Sequence, residues 1–226
     1  MSEIEDYANA GVAADAVARI IAGTLRGAAQ TYGRANFVAT GGGSPGPVYD
    51  RLVEADVPWG LVNVTLSDER WVDQESADSN QHLLFERLFR RHVTNCRFVP
   101  LKTDAPSAEV GALTAEPAIA WLTPFDVTLL GMGEDGHIAS LFPGNPALAE
   151  GLNLSGERLV IHAPAGHPAP SQDRISLTLK ALLSSRLILV LTSGEAKRHM
   201  IERGEARPIH ALLQQAHAPV RLIWSP

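Results

Sequence analysis

The stretch Phe125-Asp-Val-Thr-Leu-Leu130, which runs directly into Gly131-Met-Gly133, decides the fold class of this chain. Its apolar character is nearly continuous, as is that of residues 187–191, and strands of this kind are buried on both faces. Sheets with two buried faces are built from parallel strands that alternate with covering helices. The stretch therefore predicts an α/β protein with a glycine turn where one buried strand ends.

Outward from this stretch, the sequence alternates between the hydrophobic periods of strands and helices. Short apolar runs predict strands at 37–40, 61–66, 97–101, 125–130, 158–162, 187–192 and 219–224. Helical spacing predicts helices over 8–31, through 48–53, after the N-cap Ser79, over 107–122, and at 195–203 and 208–216. Pro117 must either kink the helix over 107–122 or start a new one. The pattern predicts a three-layer αβα fold with a mainly parallel, doubly wound sheet, formed by one domain over residues 1–226.

The composition limits the classes of partner. The chain has 226 residues, is 45% hydrophobic and carries a formal net charge of −6, so it has no general electrostatic attraction for nucleic acid or an anionic membrane. An anionic substrate would need a local cluster of Arg and Lys. The single cysteine, Cys96, excludes an intrachain disulfide. The N-terminus is acidic where a signal peptide is basic, and no apolar run approaches the roughly 18 residues of a membrane-spanning helix. We expect a cytoplasmic protein that binds neither nucleic acid nor a membrane.

Two polar segments follow predicted strands at the carboxyl edge of the sheet, where ligands of doubly wound folds collect. The stretch Gly41-Gly42-Gly43-Ser44-Pro45 lets backbone N–H groups approach an anion closely; the alternative is a tight turn without a ligand. The stretch Ser67-Asp68-Glu69-Arg70 offers Arg70 as a fork for phosphate oxygens, with Asp68 and Glu69 orienting it or meeting sugar hydroxyls. The alternative here is a solvated loop that holds a structural ion pair.

The glycine turn after the Phe125–Leu130 strand leads into Asp135-Gly-His137, the most informative segment. A histidine at the mouth of a sheet acts as a general base near neutral pH, because its unperturbed pKa is about 6.5. We expect Asp135 to orient the imidazole and to stabilise its charged form. The alternative is a loop histidine that is bonded only to the backbone.

Other kinds of site lack their sequence patterns. Neither Ser44 nor Ser140 lies in a Gly-x-Ser-x-Gly nucleophile elbow. The histidines and carboxylates lack the His-Glu-x-x-His spacing, and one cysteine cannot build a structural zinc site. We therefore expect no metal. Lys197 follows Gly194-Glu195 at the start of a predicted helix, where it is able to reach an anion at the sheet edge, although solvent exposure is the commoner fate of a lysine.

Several segments, taken together and in order, resemble the 6-phosphogluconolactonase family. The blocks run from about residue 37 to the C-terminus, and the one from Gly131 to Pro143 is highly specific. They are Gly41-Gly-Gly-Ser-Pro-x-x-Val-Tyr49, Ser67-Asp-Glu-Arg-Trp-Val72 with Ser79-Asn80, Phe125 through Pro143, Arg174-Ile-Ser-Leu-Thr178 and Gly194-Glu-Ala-Lys197.

The resemblance implies a modified Rossmann-like fold, shared with glucosamine-6-phosphate deaminase and ribose-5-phosphate isomerase. It implies hydrolysis of 6-phosphogluconolactone in the oxidative pentose phosphate pathway, without a cofactor. By position, His137 matches the family's proposed general base, Arg70 and Lys197 match the phosphate-holding residues, and Arg174 matches a further arginine near them. The loop against which the substrate lies corresponds to Gly41, Gly42, Gly43 and Ser44, with Gly43 in place of a family serine.

Two alternatives remain at this stage. Glucosamine-6-phosphate deaminases have a similar Asp-Gly-His-Ile-Ala start but continue into Phe-Asn-Glu, whereas this chain continues into Ser140-Leu-Phe-Pro143. A catalytically inactive sugar-phosphate sensor would usually carry an additional binding region, and it would have no need of both His137 and Asp135. The expected partner is a small sugar-phosphate lactone, and the expected assembly is a monomer or a small homo-oligomer.

Overall fold

The computed structural model describes residues 3–166, 170–215 and 217–226 of the chain, with only the backbone of position 92. The strands are β1 (Ile4–Asp6), β2 (Ala35–Ala39), β3 (Val62–Leu66), β4 (Asp68–Arg70), β5 (Arg97–Phe98), β6 (Val127–Gly131), β7 (Val160–Ala163), β8 (Arg174–Leu177), β9 (Ile188–Ser193) and β10 (Val220–Ser225). The helices are α1 (Ala10–Tyr32), α2 (Gly46–Val53), α3 (Asn80–Arg87), α4 (Ala108–Leu122), α5 (Leu148–Gly151), α6 (Leu179–Leu183), α7 (Glu195–Arg203) and α8 (Pro208–Leu213). The predicted helix over 208–216 thus ends early, and position 216 lies outside the described residues.

Seven strands form one central sheet in the order β1-β10-β9-β6-β2-β3-β5, and every neighbouring pair is parallel. All five residues of β2 and of β3 are buried, as are the first five of β9. This burial on both faces explains the continuous apolar runs, because helices cover the sheet. The predicted α/β class with a mainly parallel sheet is confirmed.

Helix α1 shows how the sequence fixes the covering layer. Asn9 accepts a hydrogen bond from the backbone N–H of Val12 at the N-cap, and Gly33 ends the helix with a φ of 68°. One face of small and branched apolar side chains, from Ala13 to Ala29, is buried against the sheet and the rest of the core. The predicted helix over 8–31 is therefore present with its ends shifted by one or two residues.

A second, three-stranded sheet with the order β4-β8-β7 is antiparallel throughout. The predicted strand at 158–162 belongs to this sheet as β7. Residues 68–70, for which no strand was predicted, form strand β4, and β8 was not predicted either. Both strands are short and begin or end with charged residues, which are depleted in strands, so the apolar pattern does not identify them.

Helix α4 runs without a break from Ala108 to Leu122 and contains Pro117. No new helix begins at the proline. Pro117 lies on the exposed side, so water can bond the carbonyl of Leu113 that loses its helical donor.

The buried apolar side chains form a core cluster that runs from Ala13 to Ile223 and so spans nearly the whole chain. One shared core is what a single domain requires, and the one-domain assignment stays a prediction. Within the described residues, every helix falls short of the length and apolar character that crossing a bilayer demands.

Candidate active site

Four neighbouring strands of the central sheet, β9, β6, β2 and β3, deliver their following segments to one cleft at the carboxyl edge. The cleft has a volume of about 190 Å³. All the candidate residues except Asp135 line it, namely Gly41, Gly42, Gly43, Ser44, Asp68, Arg70, His137, Arg174 and Lys197. The four segments lie far apart in sequence, and the parallel sheet brings them together as expected for ligand sites of this class.

His137 and Asp135 form a close pair beside the cleft. The Nδ1 atom of His137 lies 2.5 Å from Oδ1 of Asp135, which also accepts the backbone N–H of His137 at 3.1 Å. Burial acts to raise the pKa of Asp135, but the hydrogen bonds and charge of His137 outweigh it and lower the pKa below its ordinary value of 3.8. Asp135 is therefore a carboxylate at neutral pH. It holds Nδ1, which leaves Nε2 of the imidazole as the nitrogen able to take a proton.

The turn that carries this pair depends on two glycines. Gly136 has a φ of 80°, a conformation that disfavours other residues. At Gly133, an added Cβ would lie 2.1 Å from both Nδ1 and Cε1 of His137. The backbone N–H of Gly133 donates to the carbonyl of His137 at 3.0 Å. The imidazole thus packs directly over Gly133, which is why a side chain is absent there.

We expect Gly133→Ala to move the imidazole and to lower kcat about 100-fold, because a misplacement of about 1 Å has an effect of that order. Gly60→Ala is the matched control, since a Cβ at Gly60 meets no atom within 4 Å. Steady-state kinetics and thermal melting of both variants provide the measurement. Full activity in Gly133→Ala would contradict the close packing.

Arg70 and Arg174 lie directly opposite each other across the antiparallel pair β4–β8. Like charges in this position repel each other. Burial lowers the pKa of Arg174 most, and the neighbouring Arg70 lowers it further, while Asp68 acts in the opposite direction. Among the described residues, neither Nε atom has a hydrogen-bond partner, although both are buried. Two close guanidinium groups with unused donors form a site that favours an anion.

Asp68 is buried at the base of this arginine pair. Its Oδ2 accepts the hydroxyl of Ser140 at 2.6 Å and lies 3.7 Å from Nη1 of Arg174. Its Oδ1 lies 2.8 Å from the hydroxyl of Ser67. Asp68 is thus placed to hold Arg174, with its remaining surface in the cleft.

Glu69 does not have the role that we expected for it. Instead of contacting an arginine side chain or the cleft, its carboxylate accepts the backbone N–H groups of Arg70, Asn80 and Gln81, each at 2.7 Å, and the hydroxyl of Ser79 at 3.1 Å. Burial raises its pKa, and these four hydrogen bonds partly oppose the rise. Glu69 therefore caps α3 and ties that helix to β4.

The glycine loop crosses the cleft between β2 and α2. Gly42 has a φ of 90°, and a Cβ at Gly41 would lie 1.8 Å from Oδ1 of Asn80. Asn80 is buried, donates to the carbonyl of Asp68 at 2.8 Å and lines the cleft. It links the loop to the arginine strand, a contact that sequence reasoning missed although Ser79-Asn80 lies in a family block.

The remaining candidate cation, Lys197, lies in the first turn of α7 and borders the cleft. Within the described residues it has no salt bridge. It is thus a third positive charge available to the same cleft, which concentrates cations locally in a chain of net negative charge.

Phe142 is a second residue that sequence reasoning did not assign to the site. Its ring centroid lies 4.3 Å from that of His137, and Cζ of Arg174 lies 5.3 Å from the same ring. The buried ring of Phe142 therefore contacts both the histidine and Arg174. Across the described residues, no group of three or more His, Cys, Asp and Glu side chains is arranged to hold a metal ion.

The chain resembles known proteins over almost its full length. A family model described as glucosamine-6-phosphate isomerases/6-phosphogluconolactonase matches residues 8–225. A 6-phosphogluconolactonase of Caulobacter vibrioides is 44% identical over 213 residues, which cover 93% of this chain and 92% of the relative. A 6-phosphogluconolactonase of Pseudomonas putida is 36% identical over 230 residues, with coverages of 99% and 93%.

Solved structures are also similar to this chain over almost its full length. A 6-phosphogluconolactonase from Shewanella baltica has a TM-score of 0.94 at 32% identity and covers 100% of this chain and 98% of its own. A monomeric glucosamine-6-phosphate deaminase has a TM-score of 0.81 at 19% identity, with coverages of 100% and 97%. The likeness to the deaminase is one of fold alone.

Proposed function

Since this chain belongs to the glucosamine-6-phosphate isomerase/6-phosphogluconolactonase family, we propose that it hydrolyses 6-phospho-D-glucono-1,5-lactone to 6-phosphogluconate, with His137 as the general base. This reaction is the second step of the oxidative pentose phosphate pathway. The observation that carries the proposal is the placement of the Asp135–His137 pair and the Arg70–Arg174 pair around one cleft. The first pair suits proton transfer and the second suits a phosphate.

Substrate binding begins at the three cations. Arg70, Arg174 and Lys197 hold the 6-phosphate, and the anion relieves the repulsion between the two guanidinium groups. Asp68 holds Arg174 from behind. Fixing the phosphate places the lactone carbonyl near His137, so that part of the binding energy serves to orient the reacting atoms.

Hydrolysis then needs one proton acceptor and one anion-stabilising group. Nε2 of His137 takes a proton from water as the water oxygen attacks C1, and the carboxylate of Asp135 stabilises the imidazolium that forms. Backbone N–H groups of the loop Gly41–Ser44 stabilise the oxyanion on the former carbonyl oxygen. The tetrahedral intermediate collapses, the bond from C1 to the ring oxygen breaks, and the imidazolium returns its proton to that oxygen.

A direct assay tests this function. The purified chain should hydrolyse freshly generated 6-phosphogluconolactone well above the spontaneous rate, and it should release no ammonia from glucosamine 6-phosphate. Position 142 distinguishes the two reactions. The deaminases have a carboxylate at the corresponding position, whereas this chain has the apolar ring of Phe142 against His137. Ammonia release without lactone hydrolysis would reverse the assignment, and the absence of both activities would favour the inactive sensor.

Asp135→Asn tests the role of the carboxylate. We expect kcat to fall about 10- to 100-fold, the equivalent of one hydrogen bond to a charged group. KM should change little, because the carboxylate acts on the imidazole and not on the proposed phosphate site. Steady-state kinetics provide the measurement, with Glu134→Gln, a change at the exposed neighbouring carboxylate, as the control. A wild-type kcat in Asp135→Asn would remove Asp135 from the mechanism.

The sign of the associated stability effect follows from the lowered pKa of Asp135. Its folded-state pKa lies below the ordinary value of 3.8, so its stabilising contribution is present at neutral pH. That contribution is lost as the pH falls below 3.8, the ordinary pKa of the carboxyl group, and through its lowered pKa in the folded protein.

We also propose a cytoplasmic location for the enzyme. Cys96 is half-buried, and burial raises the pKa of its thiol to about 11. A protonated thiol with no cysteine partner suits a reducing compartment.

A further inference from the structure

Helix α4 presents an unusual surface to solvent. Its buried face covers β7 and β8 of the small sheet, while its exposed side includes Val110, Leu113 and Trp121, which are 41%, 53% and 47% exposed. The other exposed residues of the helix are Glu109, Thr114, Pro117, Ala118 and Ala120. Only Glu109 carries a charge. Exposed helix faces are normally charged or polar, so this one indicates a surface that is covered in solution.

The exposed side chains form a stripe with a regular spacing. Val110, Thr114, Pro117 and Trp121 follow one another at intervals of four, three and four residues and therefore lie along one face of the helix. The hydroxyl of Thr114 donates to the carbonyl of Val110 at 2.8 Å, so this polar group is already satisfied within the helix. We call these four residues the α4 stripe.

The spacing of the α4 stripe is the same in both directions along the helix. Two copies packed antiparallel would place Val110 against Trp121 of the other copy and Thr114 against Pro117 of the other copy, in both halves at once. A surface that matches itself in this way is what a two-fold symmetric interface requires.

The charges at the ends of the stripe are complementary in the same arrangement. Arg34 and Arg97 flank the ring of Trp121, with their Cζ atoms 5.5 and 4.7 Å from its centroid. Glu109 stands at the opposite end. Antiparallel packing would bring Glu109 of each copy to the end of the stripe that carries the two arginines of the other copy. Within the described residues none of the three charges has a salt bridge in one chain.

We propose that the α4 stripe is the two-fold interface of a homodimer, formed by antiparallel packing of α4 against α4 of a second copy. The net charge of −6 on each chain opposes association elsewhere, and the nearly uncharged stripe avoids that repulsion. A single helix pair buries less surface than a permanent dimer does, so the association is reversible and depends on concentration. The interface lies outside the cleft, and the inference does not depend on the proposed reaction.

Sedimentation velocity of the full chain from about 1 to about 200 μM, a range chosen for micromolar association, tests the dimer. The mass should rise from 24.2 kDa towards twice that value. Leu113→Asp, at the border of the stripe, should raise the dissociation constant at least about tenfold. Leu154→Asp, at a leucine of similar exposure outside α4, should leave it unchanged. Both variants should keep the lactonase activity, which shows that they are folded.

Charge reversal tests the antiparallel arrangement. Glu109→Lys and Arg97→Glu should each weaken the dimer, and the double variant should restore it, because each end then meets the opposite charge again. A mass that stays at one chain up to the highest concentration would assign the stripe to another occupant and overturn the proposal. A dimer that Leu113→Asp leaves intact, or a double variant that is no tighter than the single ones, would also overturn it.

Discussion

His137→Ala should reduce kcat for lactone hydrolysis by about 100- to 10,000-fold, the range that a general base contributes. The affinity for the product 6-phosphogluconate should change little, because the proposed phosphate site consists of Arg70, Arg174 and Lys197 and does not include the imidazole. Spontaneous opening of the lactone sets a floor, so the enzymatic rate must be measured above that background. Initial rates give kcat, and calorimetric titration with 6-phosphogluconate gives the affinity.

A matched control separates chemistry from folding. His82 lies on α3, outside the cleft, next to the exposed Glu86, and His82→Ala should retain the wild-type rate. If His137→Ala kept near-wild-type activity, another group would have to be the base. If His137→Ala lost product binding as well as turnover, the imidazole would also contribute to substrate binding.

Arg70→Ala should chiefly raise KM, by about 10- to 100-fold, since a hydrogen bond to a charged group contributes about 1.5 to 3 kcal/mol. The value of kcat should fall much less, because His137 and Asp135 lie in the loop after β6, whereas Arg70 lies at the end of β4. Arg70→Lys should give an intermediate KM, because lysine keeps the charge but lacks the guanidinium fork with which we propose that Arg70 holds two phosphate oxygens. Steady-state kinetics on the wild type, Arg70→Lys and Arg70→Ala should show KM increasing in that order.

Thermal melting provides an independent readout for the same site. Phosphate or 6-phosphogluconate should raise the melting temperature of the wild type, because it neutralises the repulsion between Arg70 and Arg174. This ligand-dependent rise should be smaller in Arg70→Ala and unchanged in Arg203→Ala, a change at an exposed arginine outside the cleft. An unchanged KM together with a wild-type rise would remove Arg70 from the phosphate site.

The central sheet was predictable from the sequence because burial on both faces leaves a direct mark on composition. Residues 125–130 and 187–192 were predicted as strands, and β6 and β9 occupy 127–131 and 188–193. The caps of α3 and of α1 are local as well, since a side chain bonds to a backbone group three residues away.

The small sheet was not predictable in the same way. Strands β4 and β8 have three and four residues and are held by pairing to each other across more than one hundred positions. Glu69 receives its hydrogen bonds partly from residues ten to twelve positions further along the chain. No periodicity within a short window records such contacts, so the charged run was not predicted as a strand.

The residues of the candidate site also differ in how far the sequence predicts them, because some contacts are local and others are long-range. Asp135 and His137 lie two positions apart in the segment that the sequence singled out, so their 2.5 Å contact is a local one. Tertiary packing brings Asn80 to the cleft and Phe142 to His137 and Arg174. Both residues lie in blocks that carry the family resemblance, but neither side chain is a cation or a proton acceptor at neutral pH, so neither was assigned to the site.

The division of the cleft between two sheets has a consequence for substitutions in the loop after β6. The proposed base follows a strand of the parallel sheet, whereas Arg70 and Arg174 are borne by the small antiparallel one. The two parts are nevertheless joined by the loop after β6, because Phe142 contacts both His137 and Arg174 and Ser140 donates to Asp68. A substitution in that loop should therefore affect the proposed base and the arginine pair together.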